Sequence, residues 1–122
     1  MNKAEAIKII DQKQPMLDDV NDSIWEYAET AFTEFQSAEK LCKALEDEGF
    51  KVERGVADIP TAFTGTYGSG HPIIGLLGEF DALSGLSQVA GCAEKKPLVP
   101  AATATAAATA AWARPRWPQP SQ

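Results

Sequence analysis

The sequence predicts an α/β fold that opens with two helices, continues into a strand and a hairpin, and ends in a low-complexity tail. Three observations predict it. Apolar residues recur at three- and four-residue spacing up to about residue 48, which is helical periodicity. Between residues 50 and 80 that period gives way to short β-prone runs divided by Gly and Pro. At Pro100 the composition changes abruptly.

Each element follows from particular residues. In Lys3–Glu29 the stripe Ala6, Ile9, Ile10, Leu17, Val20, Ile24 and Ala28 predicts a helix. Pro15 removes a backbone donor and is expected to kink or split it. Ser37–Glu48 predicts a second helix, with Ser37 as its cap and Gly49 ending it in the left-handed conformation. Its buried stripe is Ala38, Leu41, Cys42 and Leu45, and Glu39 and Lys43 form an outer i,i+4 pair. Cys42 reads as a small buried hydrophobe and not as a reactive thiol.

Phe50–Glu53 alternates apolar and polar residues, and Ala62–Tyr67 is rich in Thr and aromatics, so both predict strands. Gly68-Ser69-Gly70-His71-Pro72 is a turn by composition. Ile73–Phe80, apolar but for Gly75, Gly78 and Glu79, predicts a central strand buried on both faces. A central strand needs neighbours and covering helices, and little chain follows Phe80 to supply them. The pattern is the opening of an α/β domain.

The composition excludes several functions. With 17 acidic and 11 basic residues, the net charge of −6 argues against a nucleic-acid groove. One His and two Cys, Cys42 and Cys92, do not make a His- or Cys-rich zinc site, so neither a metal nor another cofactor is expected on this chain. Two isolated cysteines fit a reducing compartment, and no run of eighteen apolar residues spans a membrane. Met1–Ile10 has no apolar core of a secretion signal, which leaves a cytoplasmic location as the expectation.

Few residues are placed to carry chemistry. Glu79 and Asp81 flank Phe80 at the carboxyl end of the predicted central strand, where open α/β sheets bind ligands. Two residues apart on an extended chain, both carboxylates point the same way. They read either as acid/base or metal-proximal carboxylates or as a solvated strand end. His71 reads as an exposed loop residue, Trp25 and Tyr27 as core or interface aromatics. Gly65, Gly68 and Gly70 sit in a hairpin and not before a helix, so a phosphate loop is disfavoured.

A set of segments carries a family resemblance: Ile24-Trp25-Glu26-Tyr27-Ala28-Glu29, Phe32-Thr33-Glu34-Phe35-Gln36-Ser37-Ala38, and Leu45-Glu46-Asp47-Glu48-Gly49-Phe50-Lys51-Val52. Further segments are Gly55-Val56-Ala57-Asp58-Ile59-Pro60-Thr61-Ala62-Phe63, Gly78-Glu79-Phe80-Asp81-Ala82-Leu83 and Gly85-Leu86-Ser87-Gln88. In this order they resemble, over roughly residues 5–100, the N-terminal part of the metal-dependent amidohydrolases, a zinc-peptidase-like family. The likeness is nearest to the aminobenzoyl-glutamate utilisation protein B type. Ser84 stands where relatives usually have Pro.

The resemblance implies hydrolysis of the amide bond of N-acyl or N-aroyl amino acids such as aminobenzoyl-glutamate. In the full-length family enzyme, water is activated on two zinc or manganese ions. It implies a homo- or hetero-oligomeric parent with a small-molecule substrate. For this chain it carries over one role: Asp81 orients a metal ligand without touching the metal. Most metal ligands and the catalytic Glu of that family lie beyond residue 122, and the chain reads as a truncated catalytic domain, residues 1–100, followed by a tail, residues 101–122.

After Leu98-Val99-Pro100 relatives carry a Gly-, Cys- and His-containing metal motif, whereas Ala101–Ala113 is nine Ala, three Thr and one Trp. Ala codons begin GC and Thr codons begin AC. Read one base earlier, the order of residues 101–109 permits Gly-Gly-Asn-Gly-His-Gly-Cys-Gly-His, and an apolar, helix-forming string follows. The tail is therefore expected to be a frame-shifted, disordered reading of the metal motif, and the chain to be inactive. The competing expectations are a small non-catalytic interaction module whose strand edges pair with a partner and, last, a metal-free hydrolase using Glu79 and Asp81.

Overall fold

The computed structural model describes residues 2–89, 91–98 and 105–106. Its elements run α1 (Lys3–Tyr27), α2 (Phe35–Asp47), β1 (Lys51–Arg54), a short 3-10 turn (Val56–Asp58), β2 (Phe63–Thr66), β3 (Leu83–Ser84) and β4 (Thr105–Ala106). The two helices and the antiparallel pair β1–β2 follow the predicted order, as in a truncated α/β fragment.

Helix α1 starts on a reciprocal cap: the Asn2 side chain accepts from Glu5 N–H at 3.0 Å, and the Glu5 carboxylate accepts from Asn2 N–H at 2.9 Å. It runs through Pro15 as one helix, so the expected split does not occur. A proline costs the ladder one bond, and bonds to either side hold this stretch in place. Gln14 Nε2 donates to Asp18 across the position at 2.7 Å. Lys13 pairs at 2.5 Å with Glu48, just past the end of α2, and Asp19 pairs at 2.6 Å with Lys40 within α2.

Those two pairs also fix the helices as antiparallel, with Lys13 level with the end of α2. At 1.5 Å per residue α1 is about 37 Å long and α2 about 20 Å, so α1 overhangs before Lys13. Ile7, Ile9 and Ile10 lie on the overhang and are about half exposed, while Ile24, opposite α2, is buried. The predicted apolar stripe is thus covered only toward its C-terminal end.

Helix α2 buries Ala38 and Cys42, with Leu41 and Leu45 half-buried. Its end is a Schellman motif. Phe50 N–H donates to Leu45 C=O at 3.0 Å and Gly49 N–H to Glu46 C=O at 2.9 Å, with Gly49 at φ +86°. Leu45 and Phe50 meet over Gly65 of β2, where a Cβ would lie 3.0 Å from Leu45 Cδ1. That glycine is what lets the hairpin close on α2. The expected Glu39–Lys43 pair is not formed. Glu39 and Glu46 both pair with Arg54 of β1, and Lys43 pairs with Asp47 at 3.6 Å. The Arg54 guanidinium, bonded first by Glu46 and then by Glu39, is held above its ordinary value.

β1 and β2 pair antiparallel with Val52 opposite Gly65 and Arg54 opposite Phe63. The predicted central strand is a correction: Ile73–Phe80 forms no strand. Ile73 and Ile74 are 80% and 81% exposed, and Leu76 and Leu77 are each 95% exposed. A run apolar on both faces is a strand only when sheets or helices cover both faces, and among the described residues nothing does. Of the predicted tail, residues 101–122, only 105–106 are described, paired as β4 with Leu83–Ser84. The expectations for its other residues lie outside the described residues.

Candidate functional site

The acidic segment Gly78–Leu83 meets the body of the molecule at Ala82 and Phe80. Ala82 is buried, its N–H donates to Glu29 C=O at 2.7 Å, and it forms a parallel bridge with Thr30. Phe80 packs its ring 5.8 Å from that of Phe63. Asp81, between them, is half-buried, whereas Glu79 is exposed. The segment is therefore fixed to the α1–α2 connection at Ala82 and, through Phe80, to Phe63 of β2, while its last residue, Leu83, pairs with Ala106 of β4.

The residue that organises this junction is Glu29. Its Oε2 accepts from Ser37 N–H and Ser37 Oγ, both at 2.8 Å, and its Oε1 accepts from Gln36 N–H at 3.0 Å and Gln36 Nε2 at 3.3 Å. Gln36 and Ser37 are the second and third residues of α2, so Glu29 supplies the cap from outside the helix. This corrects the expectation that Ser37 is the cap: it is buried inside the first turn, and the residue at the cap position, Glu34, makes no side-chain cap bond. Desolvation raises the Glu29 carboxyl, but the bonds from Ser37 and Gln36 outweigh it and hold it below the usual Glu value near 4.5.

The connection is also strained. Ala28 at φ +47° and Phe32 at φ +66° occupy the left-handed region without being glycine. Such positions persist where surrounding bonds over-determine them, and here Glu29 and the Ala82 bridge do so. Glu34 is 8% exposed and its Oε2 has no hydrogen-bond partner among the described residues. Sequence reasoning missed both glutamates. The signal for Glu29 was a carboxylate just upstream of a helix whose predicted cap sits one turn too late.

The other predicted residues do not join this site. His71 is exposed in the bend that precedes the apolar run. Tyr27 lines an open groove with Phe35, Gln36 and Lys40, and Trp25 is half-buried. Cys42 lines a cleft of about 160 Å³ between α2 and the hairpin, with Ala38, Arg54, Thr61 and Phe63 among its neighbours. That volume is below the range of pockets that enclose a small-molecule ligand. Desolvation raises the Cys42 thiol above its ordinary value, so it is not poised as a nucleophile.

Among the described residues no three His, Cys, Asp or Glu side chains lie close enough together to hold a metal ion. One orphan oxygen on Glu34 is not a donor set, so these residues by themselves do not fit a metal centre. Also among them, no helix is long and apolar enough to cross a membrane.

Comparison with known proteins decides the kinship. The chain is 55% identical over 82 residues to the B subunit of p-aminobenzoyl-glutamate hydrolase from Escherichia coli (strain K12). Over that stretch the chain belongs to the aminobenzoyl-glutamate utilisation protein B family. The matched residues are 67% of this chain and 17% of the relative, so the chain spans a small part of that protein's length. No protein-family profile matches it, and no solved structure matches it. The kinship therefore rests on sequence, and the structure shows what this portion builds: two helices, one hairpin and an anchored acidic segment.

Proposed function

We propose that this chain is the N-terminal part of a metal-dependent amidohydrolase that cleaves the amide bond of N-acyl or N-aroyl amino acids such as p-aminobenzoyl-glutamate, and that it is inactive as it stands. The identity of 55% over 82 residues to a protein of that name carries the reading. The relative's designation as one subunit of a hydrolase supports a multi-subunit parent acting on a small molecule. A cytoplasmic location is part of the same proposal, and its support is the sequence alone.

In the full-length enzyme two zinc or manganese ions, held by residues elsewhere in that enzyme, would serve to activate the attacking water. The described residues do not make a donor set for them, so no step runs through this part of the chain. Asp81 is assigned to positioning a metal ligand carried by the rest of that enzyme. Its support is the match of Gly78–Leu83 to the acidic motif of that family; the bridge at the next residue, Ala82, holds the adjoining backbone against Thr30. The tail is assigned to a shifted reading frame, supported by the order of Ala and Thr in residues 101–109.

Release of p-aminobenzoate from p-aminobenzoyl-glutamate, with zinc or manganese added, tests the reading. The chain itself is expected to give no turnover, and a gene with one base inserted after the Pro100 codon, co-expressed with the partner subunit of the parent, is expected to give turnover. Turnover by the 122-residue chain would overturn its inactivity. A frame-restored enzyme that folds and binds metal but hydrolyses no N-acyl amino acid would overturn the amidohydrolase reading.

A further inference from the structure

Ile73–Leu77 is the most exposed apolar segment among the described residues, and its sequence is nearly palindromic about Gly75: Ile-Ile-Gly-Leu-Leu. We infer that copies of this chain associate through this segment, paired antiparallel across a two-fold axis at Gly75. This goes beyond the hydrolase reading and does not rest on it.

Three observations select a second copy as the occupant. The first is register. Antiparallel pairing about Gly75 sets Ile73 against Leu77 and Ile74 against Leu76 of the other copy, so large apolar side chains meet at every position but the centre. An isologous contact requires such self-complementarity, in which each residue faces the partner of its own mate.

The second is the centre itself. A Cβ at Gly75 would meet nothing within 4 Å, and its backbone is not in the left-handed region. In the proposed register the two Gly75 residues face each other, and neither has a side chain to hold the strands apart. The third is the flanks. The same register places Pro72 opposite Gly78 and His71 opposite Glu79, so each end of the apolar run is closed by an imidazole facing a carboxylate. Between residues 68 and 78 there is no charged side chain to oppose the approach of two chains of net charge −6.

Residues 73 and 77 lie on one face of the resulting ribbon, and 74 and 76 on the other. Both faces are apolar, so pairs stack into larger species as concentration rises.

The test is sedimentation of the full chain, combined with a cysteine register experiment. The chain is expected to associate with rising concentration, and Leu76→Lys/Leu77→Lys to weaken association at least tenfold while keeping its helical circular dichroism, since both side chains are solvent-exposed. In a Cys92→Ser background, Gly75→Cys is expected to form an interchain disulfide on mild oxidation. A residue at the two-fold axis faces itself at about 4.5–5.5 Å between Cα atoms, within disulfide reach. Ile73→Cys is expected to cross-link at least tenfold less, because its own mate lies about 14 Å along the strand. A chain that stays monomeric, an oligomer untouched by the double lysine variant (as the exposed isoleucines of α1 would make), or equal cross-linking at 73 and 75 would each overturn the inference.

Discussion

Glu29 and Ser37 are joined twice through one oxygen: Oε2 of Glu29 accepts both the backbone N–H and the hydroxyl of Ser37 at 2.8 Å. With the bonds to Gln36, this carboxylate satisfies two orphan donors of α2 and ties the end of α1 to the start of α2. The same residue's carbonyl receives Ala82. One glutamate thus connects both helices to the acidic segment.

Because its folded carboxyl is held below the usual value near 4.5, Glu29 stabilises the fold above that value. The contribution falls away as pH drops through the lower, folded value. Glu29→Gln is expected to lower stability by about 1 kcal/mol at pH 7, the usual worth of a helix cap. It is also expected to flatten the loss of stability below pH 4.5. Urea unfolding followed by circular dichroism from pH 3 to pH 7 checks both.

Pro15 is exposed and sits inside a continuous helix, so it removes a ladder bond and brings no core packing. Pro15→Ala is expected to stabilise the chain by about 2–3 kcal/mol. A matching rise in the urea midpoint at unchanged slope would show it.

Cys42 is 1% exposed with a raised thiol value, whereas Cys92 is half-buried. In native buffer a thiol reagent is expected to modify Cys92 first and to leave Cys42 unmodified until the chain unfolds. Counting labelled thiols by mass spectrometry with and without denaturant separates the two.

The sequence made the local elements legible because local signals determine them. Both helices and both strands of the hairpin fall within two residues of their predicted bounds. Periodicity placed the helices, and Gly49 placed the end of α2. What stayed hidden depends on residues far apart in the chain. Ser37 has a capping side chain, but Glu29 arrives by tertiary contact and takes the position over. Glu39 has Lys43 one turn away, but Arg54 reaches it with a planar fork that also engages Glu46. Ile73–Phe80 has the composition of a buried strand, and composition does not supply the neighbours that make a strand. Asp81 was legible as a candidate through the family likeness of its segment, while the anchor of its neighbour Ala82 at Glu29 and Thr30 was not.

The proposal that an amidohydrolase sequence runs to Pro100 and is then read in the wrong frame stands or falls on the gene. Sequencing the coding DNA across the Pro100 codon decides it. The minus-one frame after Pro100 is expected to stay open and to encode a Gly-, Cys- and His-containing metal motif followed by an apolar helix. A stop codon in that frame, or a continuation unlike an amidohydrolase, would rule the frame shift out.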